Sequence, residues 1–450
     1  MRDYAILGFI IGSLPLCFLY PYYGVLMWYW IAYFSPHRYG WGPAYHFPVA
    51  QIVALPTLAG LFFSKQLNRG IFVRETVLLL FLWVWFSITL LNCMYTAEFS
   101  GHVADAQFQM VRVSKILLMT AVTILVVTSR EKLRFLSMVT AASFGLLAIK
   151  GTVFGLKTSG GSRVWGPPDS FIADNNDMAL AMNMSLPLLY FLARNEERRW
   201  LRLALYATFY CGIVTVLLTY SRGGLLGLGV VVVYVAIMSK HRFFALGAIA
   251  AGVLVALTFA PAKWTQRMST LTSGQLDDTA MQRVITWEFG WNFVQHYPIT
   301  GGGFEVFPDV SIFQRYALRQ LPGGVYQAAS PHSIYFQVLG EHGFVGFLLY
   351  ASLLLSSLYS LRKMRRRAKR VPALSWMVTY ADMFTGSLLA YMISGTFLSR
   401  AYFDFFYQLI ASVIIMKILF KKEVLELLAT KEVAEPEPVP ALEESVPVEA

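Results

Sequence analysis

Residues 76–94 read TVLLLFLWVWFSITLLNCM, a run without one charged side chain. At about 1.5 Å per residue it makes a helix that covers most of a hydrocarbon core roughly 30 Å thick. A water-soluble domain has nowhere to hide such a helix, and the chain repeats the pattern. Comparable apolar runs lie at 4–20, 47–63, 113–128, 135–156, 178–193, 203–219, 223–238, 243–260, 333–360, 376–397 and 403–420, twelve with the first. The fold class this predicts is an all-α polytopic membrane protein with about 12 transmembrane helices.

Composition points the same way. Of 450 residues, 56% are hydrophobic and 14% charged, against roughly 25% charged in ordinary soluble proteins. The 24 Tyr and 11 Trp are types that gather at membrane interfaces. Soluble, collagenous and disordered classes are excluded for the body of the chain. The net charge of +11 is not a nucleic-acid footprint, because the basic residues sit between apolar runs. Clusters at 65–74, 130–134, 194–202, 240–242 and 362–370 alternate with poorer connections, as the positive-inside rule requires. The alternation closes when 22–34 is left out of the count. That stretch reaches only about 20 Å as a helix and is bounded by Pro21 and Pro36. It reads as re-entrant or interfacial, which makes both termini cytoplasmic. The run 4–20 is followed by Pro-Tyr-Tyr-Gly rather than a small-residue cleavage site, so it reads as a retained helix. Cys17, Cys93 and Cys211 are too scattered for a disulfide framework or a metal motif.

The chain divides into N-terminal helices over 1–260, a large outward loop over 261–331, C-terminal helices over 332–420 and an acidic tail over 421–450. From 431 the tail holds six Glu and four Pro and few large apolar residues, so disorder is expected there. The outward connections carry the unusual sequence. In Thr219-Tyr-Ser-Arg-Gly-Gly224, Arg222 stands at the membrane boundary, where charge is costly unless matched. The next helix begins there with its free N–H groups outward, an arrangement that suits phosphate. The competing reading is a hairpin turn with a snorkelling arginine. Arg283 lies on a helical pattern over 280–295, where Trp287 and Trp291 form a stripe suited to a membrane surface. Taken alone, a solvated loop arginine is the simpler reading.

In Ser330-Pro-His-Ser333, Ser330 reads as an N-cap and Pro331 as the first helical residue. His332 then occupies the first turn, where the helix dipole disfavours imidazolium and leaves a neutral ring able to accept a proton. The plainer reading is a polar residue at a helix start. Glu341, nine residues on, lies about 180° around the helix and is not placed to orient that ring. His342 reads as a packed polar group. The 169–177 segment is acidic but lacks the Gly and distal Glu of an EF-hand. No metal site is expected, and Asp177 reads as a cap for the helix that follows.

Taken in order, four motifs resemble the bacterial O-antigen ligase/polymerase family of membrane glycosyltransferases. They are Asp174-Asn-Asn-Asp-Met-Ala-Leu-Ala181, Tyr220-Ser-Arg-Gly-Gly224, Arg283 ahead of Pro298-Ile-Thr-Gly-Gly-Gly303, and His332-Ser-Ile-Tyr-Phe-Gln-Val-Leu-Gly-Glu-His-Gly343. The front end, Pro21-Tyr-Tyr-Gly-Val-Leu-Met-Trp-Tyr-Trp30 with Pro36-His-Arg38, looks like the branch called O-glycosylation ligases associated with the exosortase A system. The resemblance implies a GT-C-type helical fold in the bacterial inner membrane, with a large periplasmic loop and the active site facing the periplasm. It implies an undecaprenyl-diphosphate-linked glycan as donor, lipid A-core or another hydroxyl as acceptor, inverting transfer, and no metal or other cofactor. By motif, it makes His332 the catalytic base and Arg222 and Arg283 the diphosphate-binding residues. Asp174, Asn176, Ser221 and Glu341 are secondary candidates. One rival is a polysaccharide polymerase of the same family, whose acceptor is another lipid-linked glycan. A rival of another class is a lipid-linked glycan flippase, which calls for paired broken helices, internal repeats and several mid-membrane charges. Here the candidate charges gather on one face and one outward loop dominates.

Overall fold

The computed structural model describes residues 2–239, 242–243, 247, 278–319 and 328–434. The expected span at 243–260, apart from 243 and 247, lies outside the described residues, as do 320–327 and the tail from 435. Among the described residues there are fourteen α-helices and no strand. They are α1 (Arg2–Leu19), α2 (Pro21–Phe34), α3 (Val49–Leu61), α4 (Arg74–Tyr95), α5 (Val103–Val126), α6 (Arg130–Lys157), α7 (Asn175–Arg194), α8 (Arg199–Leu218) and α9 (Arg222–Met238). After them come α10 (Asp278–His296), α11 (Val310–Tyr316), α12 (Ile334–Ala368), α13 (Ser375–Gly395) and α14 (Asp404–Ala434). One helix lies on each of the other eleven expected runs. The chain is an all-helical polytopic membrane protein, and α1, α4, α5, α6, α8 and α12 are by themselves long and apolar enough to cross a bilayer. A helix closes its own backbone hydrogen bonds, which is what a segment in hydrocarbon must do.

Helix α7 runs through the middle, packed on α6, α8, α9 and α13. It is buried on nearly all sides, and the amide of Asn183 reaches across it: Nδ2 donates to the Gly224 carbonyl at 2.8 Å and to Ser394 Oγ at 3.1 Å, while Oδ1 finds no hydrogen-bond partner among the described residues. That bond ties α7 to the start of α9 and the end of α13. At the face carrying the basic connections, Arg130 lies over the Trp376 ring, Trp376 Nε1 donates to Glu423 of α14, and Arg134 pairs with Glu196.

Helix α2 differs from the expectation of a returning stretch. It packs against α1, α3, α5 and α6, and its two ends reach opposite faces. Near its start, the Tyr22 hydroxyl donates to the Lys132 carbonyl on the basic face. Deeper, Tyr29 meets Thr123 and Tyr33 donates to Gln408. Beyond its end, Arg38 lies 3.8 Å from Asp169, which also accepts from the Tyr45 hydroxyl. Asp3, in the first turn of α1, lies against Gly40 and Gly42 of that same connection. The first helical residues thus meet the connection that reaches Asp169, whereas Glu423 of α14 meets Trp376 beside the basic connections. The 30 Å length criterion governs a helix whose ends meet lipid headgroups. Val25, Trp28, Tyr29 and Tyr33 are buried in protein, so fourteen residues suffice here.

Helix α12 is broken at Gly343, where φ is 65° and ψ is −171°. Its exposed backbone groups are taken up by the turn at 298–303. Gly302 and Gly303 donate to the carbonyls of Gly340 and Glu341 at 3.0 and 2.8 Å, and Phe344 donates back to the Pro298 carbonyl at 2.8 Å. This three-bond seam docks α10, α11 and the turn between them onto the break.

Two outcomes are expected. Cysteines placed by Trp41→Cys and Pro168→Cys react with an impermeant maleimide from the same side of sealed vesicles, and one from Glu131→Cys reacts from the other side. Labelling of the first two from opposite sides would overturn the assignment of α2. A Cβ on Gly343 would meet the Ile299 carbonyl in a left-handed backbone. Gly343→Ala should therefore cost about 1–3 kcal/mol, read as a lower unfolding temperature in detergent.

Candidate functional site

His332 lies on the short segment 328–333 that leads into α12. The helix starts at Ile334 with Ser333 at its N-cap, so Ser330 and Pro331 do not begin it as expected. The reason is tertiary. The Pro331 carbonyl is claimed by Trp287 Nε1 at 2.6 Å and the His332 N–H by Ser399 Oγ at 2.7 Å, and these bonds hold the segment out of the helix. His332 itself has a φ of 45°. Burial lowers its pKa to about 4, helped by the charges of Arg283 and then Arg400 and opposed by Asp174. The ring is neutral at pH 7, as expected, but through burial and nearby cations rather than a helix dipole.

Arg222 is the first residue of α9. Ser221 caps that helix by accepting from the Gly224 N–H at 3.0 Å. Tyr220, just before it, has a φ of 59°. Arg283 comes from the first turns of α10, and the two arginines line one cavity of about 60 Å³ together with Asn176, Ser221, Gly223 and Leu398. The surface role expected for Trp287 does not hold. Its ring stacks on Phe336 of α12 at 5.4 Å and 6°, which turns the arginine on the same helix toward α9. Trp291 is half exposed and meets Phe344 edge-on.

A larger cavity of about 250 Å³ adjoins the first, with Leu398 in both walls. His332 lines it, facing Arg112, Asp174, Glu305 and Arg400. Asp174 rather than Asp177 caps α7, accepting from the Asn176 backbone N–H at 2.8 Å and its side-chain amide at 2.9 Å. Asp177 is buried one turn on and forms an ion pair with Arg400. Glu341 forms part of the same wall, accepting from the Tyr402 hydroxyl and from the Glu305 N–H at 3.3 Å. It touches the cavity, and its hydrogen bonds run to Tyr402 and Glu305 rather than to His332. Because His332 stands off the helix, the phase of about 180° expected between the two is not what separates them. His342 stands apart, between Thr89 at 2.7 Å and Tyr402 at 2.8 Å.

Arg400, Arg112, Gln109 and Glu305 are four cavity residues that escaped the sequence reading. Arg400 lies on the connection 396–403, which the positive-inside pattern leaves poor in cations. A lone arginine there was the available signal. Arg112 and Gln109 belong to α5, which begins ten residues before the expected run. The apolar criterion stopped at Arg112, whose guanidinium sits 3.7 Å over the Phe171 ring. Glu305 follows the glycine turn with a φ of 60°. Burial and Asp105 raise its pKa, against Arg112 and Arg400. Strained backbone at Tyr220, Glu305 and His332 clusters around these two cavities, a cost of about 1–3 kcal/mol each that the surrounding structure must hold in place. Among the described residues no group of three or more His, Cys, Asp or Glu side chains is arranged to hold a metal ion.

Comparison with known proteins divides the chain in two. Residues 207–351 match the family described as O-antigen ligase, and residues 1–197 match a family described only as being of unknown function. No curated protein matches the chain. Arg222, Arg283 and His332 fall within 207–351, Asp174 and Asn176 within 1–197, and Arg400 in neither.

Because the folded pKa of His332 lies below the ordinary 6.5, the ring stays neutral as pH falls through 6.5. Stability that depends on the neutral ring is lost progressively from there down to about 4. The rate of carbethoxylation of His332, followed by peptide mass spectrometry, should fall with a midpoint near 4. A midpoint at 6.5 would show an open, solvated ring.

Proposed function

We propose that this chain, whose residues 207–351 match the O-antigen ligase family, is a glycosyltransferase that moves a glycan from a polyprenyl diphosphate, the undecaprenyl carrier, to an acceptor hydroxyl. The proposed setting is the periplasmic face of the inner membrane. The observation that supports this reading is the side-by-side pair of cavities, one with two arginines and the other with a neutral imidazole, sharing the Leu398 wall.

In the proposed reaction the diphosphate lies against Arg222, Arg283 and the first turn of α9, whose N–H groups favour an anion. The larger cavity takes the sugar and the acceptor hydroxyl. His332 takes the hydroxyl proton as that oxygen bonds to the anomeric carbon. The bond from the anomeric carbon to the diphosphate oxygen breaks on the opposite face, so configuration inverts. Polyprenyl diphosphate leaves with its added negative charge. At about 4 Å and an effective dielectric near 20, each arginine contributes about 4 kcal/mol of attraction before desolvation. Two arginines thus fill the charge-neutralising role that a metal ion has elsewhere. His332 then returns its proton to water at the cavity mouth.

The test is transfer by purified protein from undecaprenyl-diphosphate glycan, with lipid A-core or a second lipid-linked glycan as acceptor and the product identified by mass spectrometry. His332→Ala should lower kcat by about 10²–10⁴-fold. Arg222→Ala and Arg283→Ala should each weaken transfer by a comparable factor and weaken binding of undecaprenyl diphosphate. Full transfer by all three correctly inserted variants would sink the assignment.

A further inference from the structure

One peptide unit in the site is held at both ends. The carbonyl of Pro331 and the N–H of His332 belong to the same peptide bond. The first accepts from Trp287 Nε1 at 2.6 Å and the second donates to Ser399 Oγ at 2.7 Å. The residue that follows this plane is in a left-handed conformation, with a φ of 45°, which costs a non-glycine residue about 1–2 kcal/mol. Two hydrogen bonds from side chains on different elements are a means of holding such a residue in place.

Neither partner is loosely held. Trp287 stacks on Phe336, one turn beyond His332 along the chain, at 5.4 Å and nearly parallel. It also lies one turn after Arg283 on α10. Ser399 stands between Leu398, which borders both cavities, and Arg400, which is fastened to Asp177 of α7. The clamp thus connects α10, the 396–403 connection and the start of α12 through one peptide plane.

We propose that Trp287 and Ser399 are positioning residues that clamp the 331–332 peptide and so aim the His332 imidazole at the acceptor hydroxyl. Through α10, the same clamp links the grip of Arg283 on the diphosphate to the placement of the base. This rests on the transferase reading for its purpose, but not for its geometry. Misplacing a reacting group by about 1 Å is enough to cost up to about 100-fold in rate.

The charged groups that face the ring are Arg283 from α10, Arg400 from the 396–403 connection and Asp174 from the α7 cap. Across the cavity lie Arg112, Asp177 and Glu305, with Glu341 on α12. None is altered in the variants that test the clamp. Trp287→Phe keeps the stacking ring and removes the donor. Ser399→Ala removes the acceptor, and Ser399→Thr keeps it. The first measurement needs no substrate: the pH midpoint for carbethoxylation of His332 in the full chain in detergent. It should rise from about 4 toward 6.5 in Trp287→Phe and Ser399→Ala as the ring gains water, and stay in place in Ser399→Thr. The second is transfer: kcat should fall about tenfold in the first two variants, KM for undecaprenyl-diphosphate glycan should stay within about twofold, and Ser399→Thr should restore the rate. Unmoved midpoints in both deleting variants overturn the clamp, as does a Ser399→Thr variant no better than Ser399→Ala. If the midpoints move as stated while even the unaltered protein transfers no glycan, the clamp stands and the transferase reading falls.

Discussion

Broken backbone inside an apolar layer has to find partners, and the break in α12 at Gly343 finds them in one place. An unpaired backbone group in such surroundings costs several kcal/mol. The Pro-Ile-Thr-Gly-Gly-Gly turn at 298–303 supplies three hydrogen bonds across the break. A left-handed Gly301 and the absence of side chains let the two backbones approach. Satisfying this seam fixes where the turn sits, and α10 enters the turn directly. The position of Arg283 over the start of α12 follows from that docking, as does the stacking of Trp287 on Phe336. The seam also brings Glu305 onto Glu341, which forms one wall of the larger cavity.

Charge in the site obeys the same economy. A lone ion at the membrane boundary is expensive, and the arginines here are compensated in different ways. Arg400 is paired with Asp177, and Arg112 lies on the face of Phe171. Arg222 and Arg283 share a cavity next to a helix start. The imidazole is held neutral by burial among these cations. The result is a polar interior with a basic edge and a proton acceptor beside it. The basic connections on the other face have ordinary topological work to do. The few cations on the site face run against that pattern, which is what singles them out as candidates for chemistry.

Several features could be read from residues in order. The helices are legible because a run such as 76–94 has only one way to satisfy its backbone in lipid. Arg222 next to its glycines, and Arg283 ahead of the glycine turn, are legible as motifs. The cap at Ser330 was not legible, since a local Ser-Pro preference worth about 1 kcal/mol gave way to two hydrogen bonds that span 44 positions back and 67 forward along the chain. Trp287 was misassigned because spacing reveals a stripe but not what the stripe meets. The role of α2 was hidden because a length criterion presumes lipid at both ends.

What the sequence alone determined is the helical membrane class, the runs that become helices and the kinds of side chain available for chemistry, because these follow from local hydrophobicity and backbone satisfaction. What only the tertiary structure decided is which helix start faces which loop: that Arg222 and Arg283 border one cavity, that Arg400 meets Asp177, and that His332 is held off its helix. Those outcomes depend on contacts between segments tens to hundreds of residues apart, which no periodicity within a single segment encodes.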